Sequence, residues 1–318
     1  MNQFLGILPI SIAGRLIISG LFEGFRSCGI NVIEFDMLKQ QYSELTPLLQ
    51  NASFDYLVSY DYIALKVKSE LNLNLPTINY FADDPKSKLA GEGYERFYDT
   101  LSDPQHYSFC WDQSITEHIN IPQLSYLPLF VNTEIYRKLH SNPSYDLMFA
   151  GRLTFEGRLE AVLSIIKAFP ELNMALYSFP AHFEQTCQLL NTADRELLIN
   201  RYKGFIANDI EMVAALNDTK TVINFTSQGT GNLNFRVFEA LACEKFIFTD
   251  YRDEIHKLFS PGQDITYYKD KDELILQIKE YFSGPEKYES IIINGRNTVV
   301  ENYSHVHSAQ KILNIIRG

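Results

Sequence analysis

Residues 221–250 read TVINFTSQGTGNLNFRVFEALACEKFIFTD. A β-branched run gives way to a polar loop with Gly229 and Gly231, then to an amphipathic stretch that begins near Asn232 or Asn234, and then to a second apolar run, KFIFT. Two parallel strands cannot be joined by a tight hairpin, so strand, loop, helix, strand is the pattern of a crossover unit. The free N–H groups and positive dipole end of such a helix form a natural anion site. Gly-x-Gly is common, and the plainer reading of the loop is a turn with an Asn cap. Glu239 falls among Val237, Phe238, Ala240, Leu241 and Ala242, where a carboxylate needs a partner. A ribose diol would serve, and so would Arg236 or Lys245.

The same alternation runs outward in both directions. Upstream lie a strand DLMFAG from Asp146, a helix from Arg158, a strand NMALYS, helices through Tyr202 and a helix IEMVAALN. Downstream, a strand ITYY precedes helices to the C-terminus. The first half shows strands at 4–10, 31–35, 56–59, 77–81, 107–110 and 124–127, with a first helix from Arg15 to about Cys28 that stops at Gly29. The expected fold class is therefore α/β, with two Rossmann-like domains facing across a cleft and C-terminal helices. The polar stretch 131–145, with Asn142 and Pro143, is the linker, which divides the chain into a domain at 1–135 and a second at 136–318 that includes the terminal helices. Ligands of such sheets bind beyond the C-terminal ends of the strands.

A length of 318 residues fits two cores better than one. The formal charge of -11 leaves no basic stripe for a run of phosphates, which excludes a nucleic-acid partner. Cys28, Cys110, Cys187 and Cys243 lack metal or redox spacing, which favours a reducing cytoplasm. The apolar opening, interrupted by Gly14, Arg15 and Glu23, reads as a strand entering a helix, not as a signal peptide or a transmembrane segment.

Three further loops carry candidate chemistry. In FAGRLTFEGR, Gly151 allows close backbone approach, and Arg152 and Arg158 can grip phosphate oxygens; a solvated surface arginine is the alternative. In INYFADDPKS, Asp83 and Asp84 follow a strand and could take a proton from an acceptor hydroxyl, or form a turn before Pro85. Asp112, after Trp111, could simply cap the next helix.

These residues, in this order, resemble the GT-B glycosyltransferases, and among them the CgeB-like group named for a spore-maturation protein. YDLMFAGRLTFEGR is similar to the family's strand-glycine-arginine entry, NFRVFEALACEKFIFTD to its R-x-F-E-A-x-A-C-G segment, FVNTEIYRKL to the segment joining the two domains, and TINYFADDP to the D-D loop. The resemblance implies a glycosyltransferase, specifically a hexosyltransferase, that uses a nucleotide-diphosphate sugar as co-substrate and needs no cofactor or metal. Arg152 and Arg158 would hold the diphosphate, and the loop Gly229, Thr230, Gly231, Asn232 and Asn234 would cradle it. Glu239, with Arg236 beside it, would bind the ribose, while Asp83 and Asp84 would serve catalysis on the acceptor side. The acceptor, whether glycan, protein or small molecule, is not implied. The chain departs from the pattern at Gly231, where many retaining relatives carry a second glutamate, at Glu244, where a glycine is usual, and at Arg158, which stands in for a lysine. A nucleotide-sugar epimerase of the same architecture and a degenerate nucleotide-binding module are the competing readings.

Overall fold

A computed structural model describes residues 3–86, 91–140, 142–155, 157–226 and 233–318. The chain forms two compact units, one made of residues 1–132 with 302–318 and the other of residues 133–301.

The first unit alternates β1 (Gln3–Leu8), α1 (Ile12–Ser27), β2 (Asn31–Asp36), α2 (Tyr42–Asn51), β3 (Tyr56–Tyr60), α3 (Ile63–Glu70), β4 (Thr77–Phe81), α4 (Gly93–Leu101), β5 (Tyr107–Cys110), α5 (Gln113–His118) and β6 (Leu124–Tyr126). All pairings are parallel, in the order β2-β1-β3-β4-β5-β6. Parallel strands covered on both faces should be apolar nearly throughout, and Phe4, Leu5, Ile7, Leu57, Val58, Ile78 and Tyr80 are all buried. Gly29 takes the left-handed conformation after α1 (φ 82°), the helix stop read from the sequence.

The second unit contains β7 (Tyr145–Ala150), α6 (Arg158–Ala168), β8 (Met174–Tyr177), α7 (Pro180–Gln188), α8 (Thr192–Ile199), β9 (Tyr202–Gly204), α9 (Asp209–Asn217), β10 (Thr219–Asn224), α10 (Phe235–Ala242), β11 (Phe246–Thr249), α11 (Ile255–Leu258), α12 (Lys271–Ser283) and α13 (Glu289–Asn302), the last ending one residue into the first unit's closing segment. Its parallel sheet has the order β11-β10-β7-β8-β9. Leu147, Phe149, Val162, Ile166, Leu176, Ile223 and Phe248 form its core with Leu274 and Ile278 of α12.

Three local expectations change. The stretch through Tyr202, read as helical, ends in the edge strand β9, too short at three residues to show a period. ITYY is not a strand: isolated bridges join Ile265 to Pro261 and Tyr268 to Asp250 at the end of β11. The final helix, α14 (His305–Ile316), which by its sequence could pack on either domain and is counted above with the second, belongs to the first unit. It packs on α1 where Gly24 stands so close that a Cβ would lie 2.3 Å from the His305 carbonyl oxygen.

Candidate functional site

In the second unit β7 and β10 are neighbours, and the sheet is built outward from them in opposite directions. The crevice at such a switch point opens between the loops that follow those two strands. Gly151 and Arg152 follow β7; Phe225 and Thr226 follow β10. A pocket of about 340 Å³ lies on the β7 side of this point, beyond β7, β8 and β9, lined by Gly151 and Arg152, by Phe179 and Phe205, and by Arg236 of α10.

Arg152 is exposed: its Nε donates to Thr154 Oγ1 at 2.7 Å and its guanidinium lies 5.4 Å from the Phe155 ring centroid. No acidic group pairs with it among the described residues. Arg158 is buried and differently employed. Its Nη1 donates to the Arg152 carbonyl at 3.2 Å and its Nη2 to the Phe225 carbonyl at 2.5 Å, so it ties together the two loops of the switch point. Burial lowers its pKa, opposed by Asp250.

Glu239 is buried and forms an ion pair with Arg236 on the same face of α10, one of the two partners considered from the sequence. Arg236 Nε is buried with no partner among the described residues, while its Nη1 also contacts Met212 Sδ. Beside this pair the Tyr136 hydroxyl donates to Asp209 Oδ1 at 2.5 Å. Burial raises the Asp209 carboxyl, the Tyr136 hydrogen bond opposes that shift, and the Glu239 charge adds to it. Neither Tyr136 nor Asp209 was picked out in the sequence, where one sits in the linker and the other at a helix start. Asn234 precedes α10 without capping it: its Nδ2 donates to the Phe225 carbonyl at 3.4 Å, and its Oδ1 is buried without a partner among the described residues. Gly229, Thr230, Gly231 and Asn232 lie outside the described residues.

In the first unit the switch point falls between β1 and β3. Tyr60 closes β3, Asp61 follows it, and Asp83 follows the neighbouring β4. Gly14 admits the Tyr60 ring against the first turn of α1, since a Cβ there would lie 2.9 Å from Tyr60 Cδ1. The Tyr60 hydroxyl donates to Asp83 Oδ2 at 2.9 Å. Asp61 adopts the left-handed conformation (φ 56°), which Asp tolerates better than most residues, and its Oδ1 is buried without a hydrogen bond among the described residues. Burial first, and the Asp83 charge second, push the Asp61 carboxyl up to about 7.

Asp61 carries the sequence signal that singled out Asp83, an aspartate directly after an apolar strand, but the strand was ended at Ser59 and Asp61 passed over. Asp84 serves its own turn, its Oδ1 accepting from the Lys86 N–H at 2.8 Å. Asp112 caps α5, accepting from Ser114 N at 2.8 Å, as the plainer reading had it. Among the described residues no group of three or more His, Cys, Asp or Glu is placed to hold a metal ion, and no helix is long and apolar enough to cross a membrane.

Residues 161–314, just under half of the chain, match the family described as Glycosyl transferase-like. No curated protein matches the sequence. Among solved structures, HepE of Anabaena, in complex with UDP, superposes with a TM-score of 0.71 at 14% identity, covering 100% of both chains. It has also been solved with UDP-glucose. Sucrose-phosphate synthase of Thermosynechococcus elongatus gives a TM-score of 0.74 at 10% identity, covering 100% of this chain and 98% of its own. A glycosyltransferase of Rickettsia africae gives 0.68 at 12%, covering 99% and 98%. The chain thus has the parallel α/β fold of the GT-B glycosyltransferases.

Proposed function

We propose that this protein is a glycosyltransferase that transfers a sugar, a hexose in the first instance, from a nucleotide-diphosphate donor to an acceptor hydroxyl. The observation that carries this reading is the pocket beyond β7, β8 and β9 of the second unit, where Arg152, exposed and without an acidic partner among the described residues, faces the same space as Arg236, which pairs with the buried Glu239. A nucleoside diphosphate brings what each of these groups lacks. Its phosphate oxygens accept from the Arg152 fork, its ribose hydroxyls donate to Glu239, and its base packs against Phe179 and Phe205. The glycosyl transferase-like match over residues 161–314 and the UDP and UDP-glucose complexes of HepE support a uridine nucleotide as the first donor to try.

Charge developing on the leaving diphosphate would be met by arginine and by the start of α10, so the reaction runs without a metal. On the acceptor side Asp83, with Asp61 beside it, would receive the hydroxyl proton. Asp84, engaged in its own turn, is the weaker of the two aspartates read from the sequence. The four free cysteines fit a reaction carried out in a reducing cytoplasm. The likeness of NFRVFEALACEKFIFTD and TINYFADDP to the CgeB-like group supports placing the enzyme among those transferases.

The test is incubation of the full chain with a panel of nucleotide sugars, with and without EDTA and candidate glycan, protein or small-molecule acceptors. Transfer, or slow release of nucleoside diphosphate from one donor, is the expected result. Interconversion of donor sugars would make the protein an epimerase, and binding without turnover would reduce it to a nucleotide-binding module.

A further inference from the structure

Both described flanks of residues 227–232 are held by charged side chains from one short segment, the one that follows β11. On the β10 side, Thr226 donates its N–H to Asp250 Oδ1 at 2.9 Å and its hydroxyl to the same oxygen at 3.0 Å. Arg252 grips the other oxygen of Asp250, Oδ2, through Nε at 3.0 Å and Nη2 at 2.7 Å, and Nη2 also donates to the Thr226 carbonyl at 2.6 Å. On the α10 side, the buried Leu233 N–H donates to Glu254 Oε2 at 2.9 Å. Glu254 is itself buried, although it lies only four residues beyond Asp250.

Taking charged groups wholly or partly out of water is unfavourable unless their bonds are made, and here those of the buried Glu254 and the half-buried Asp250 and Arg252 reach backbone groups at two fixed points. Asp250 and Arg252 neutralise each other, and together they engage both the N–H and the C=O of Thr226. Glu254 accepts from the residue immediately before Asn234, where the chain turns into α10. With Arg158 of α6 bonded to the Phe225 carbonyl as well, the end of β10 is held by side chains from two elements. A phosphate-binding helix start helps only if it is held at a set distance from the other phosphate ligands, because charge-assisted hydrogen bonds weaken steeply when misplaced.

We propose that Asp250, Arg252 and Glu254 are positioning residues for the donor diphosphate: they hold the end of β10 and the start of α10 at the separation that diphosphate binding requires. The inference rests on the donor reading above. It makes one distinction that a purely structural role does not. Loosening the clamp weakens binding of the diphosphate and leaves binding of the nucleoside, which uses the far side of the pocket, unchanged.

The experiment measures binding of UDP, GDP, ADP and TDP and of their nucleosides to the full chain, by calorimetry and ligand-observed NMR. The best diphosphate is then carried to Glu254→Ala, Glu254→Gln and Thr226→Val. Glu254→Ala should lose about tenfold or more in diphosphate affinity, the equivalent of one charge-assisted bond, with nucleoside affinity held within about twofold. Glu254→Gln, which can still accept from the Leu233 N–H, should recover most of that loss. Thr226→Val removes a single hydroxyl bond, should fold in any case, and should weaken the diphosphate by roughly threefold. If Glu254→Ala does not fold, Thr226→Val decides alone. Diphosphate binding like that of the unaltered protein, or equal losses of diphosphate and nucleoside, overturns the positioning role and leaves the donor reading intact. Failure of the unaltered protein to bind any nucleotide overturns both.

Discussion

The two units are built on the same principle and finish their strands with opposite chemistry. The first places aspartates there: Asp36 at the end of β2, Asp61 after β3, Asp83 and Asp84 after β4, and Asp112 after β5. The second places guanidiniums around its switch point, Arg152, Arg158 and Arg236, with Arg252 clamping the flank. Strand ends of this kind face the N-termini of the following helices, whose free N–H groups already favour negative charge. In the first unit the chain supplies much of that charge itself, since Asp84 and Asp112 bond the backbone amides that follow their strands. In the second, α10 starts without a capping side chain and without an acid in its first turn, and arginines add to the helix dipole. Arg236 and Arg252 have Glu239 and Asp250 as partners, which leaves Arg152 as the guanidinium there without an acidic partner among the described residues, and under the proposed function it is the one that an anion from outside would meet. Beside Asp83, burial holds the Asp61 carboxyl up at about 7, and under the proposed function this pair would take part in proton transfer.

The sharpest way to break this contrast is Asp83→Asn. If the first unit's acids serve proton transfer, turnover should fall by roughly 100-fold or more with donor affinity unchanged, because general-base assistance is typically worth that much. Normal turnover in the folded variant would leave the first unit's acids as turn and helix caps. Next in size is Arg152→Ala, expected to weaken nucleoside diphosphate binding by about tenfold or more while sparing the nucleoside, since only the phosphate contacts are lost. Equal losses for the two ligands, measured by calorimetry, would contradict the role.

Glu239→Gln keeps the shape of the side chain but removes the charge that partners Arg236 and would accept the ribose hydroxyls. Donor affinity should fall by about fivefold, together with a lower melting temperature, because a half-buried guanidinium is left without its counter-ion. A drop in stability alone would make Glu239 purely structural.

The smallest effect belongs to Asp61. Its carboxyl titrates near 7 in the folded protein and about three units lower when unfolded. Its proton is therefore held more tightly by the folded state, a contribution fully present below about pH 4 and lost as the pH rises through 7. Asp61→Asn should flatten the decline in melting temperature between pH 5 and pH 8, leaving the variant a few degrees more stable than the parent at pH 8. If its ionised form assists Asp83, turnover of the parent should rise through pH 7 and that of the variant should not. Identical pH profiles for parent and variant would show that the carboxyl titrates elsewhere.

Much of this contrast was legible in the chain itself. Apolar runs alternating with amphipathic ones dictate two parallel sheets, because strands buried on both faces leave no other pattern, and an aspartate or arginine directly after such a run is at a strand end whatever the tertiary details. Asp83 and Arg152 are legible that way, and Glu239, with Arg236 as a candidate partner, by its place among the apolar residues of a helix. What no periodicity could supply is the use each side chain is put to. Arg152 and Arg158 look alike in FAGRLTFEGR, yet one is exposed and the other is buried against two carbonyls, because only strand order brings the Phe225 carbonyl within 2.5 Å. Asp61 differs from Asp84 by a left-handed φ and by a buried oxygen beside a second carboxylate, both set by how β3 meets β4. The three-residue β9 and the return of α14 to the first unit belong to the same class: a short edge strand has no period to read, and a helix whose apolar face would fit either core is assigned only by the glycine that lets it approach. Local sequence fixes which elements form, since that depends on spacing along the chain. Which charged groups are left for a ligand depends on partners far apart in sequence, and the packing decides that.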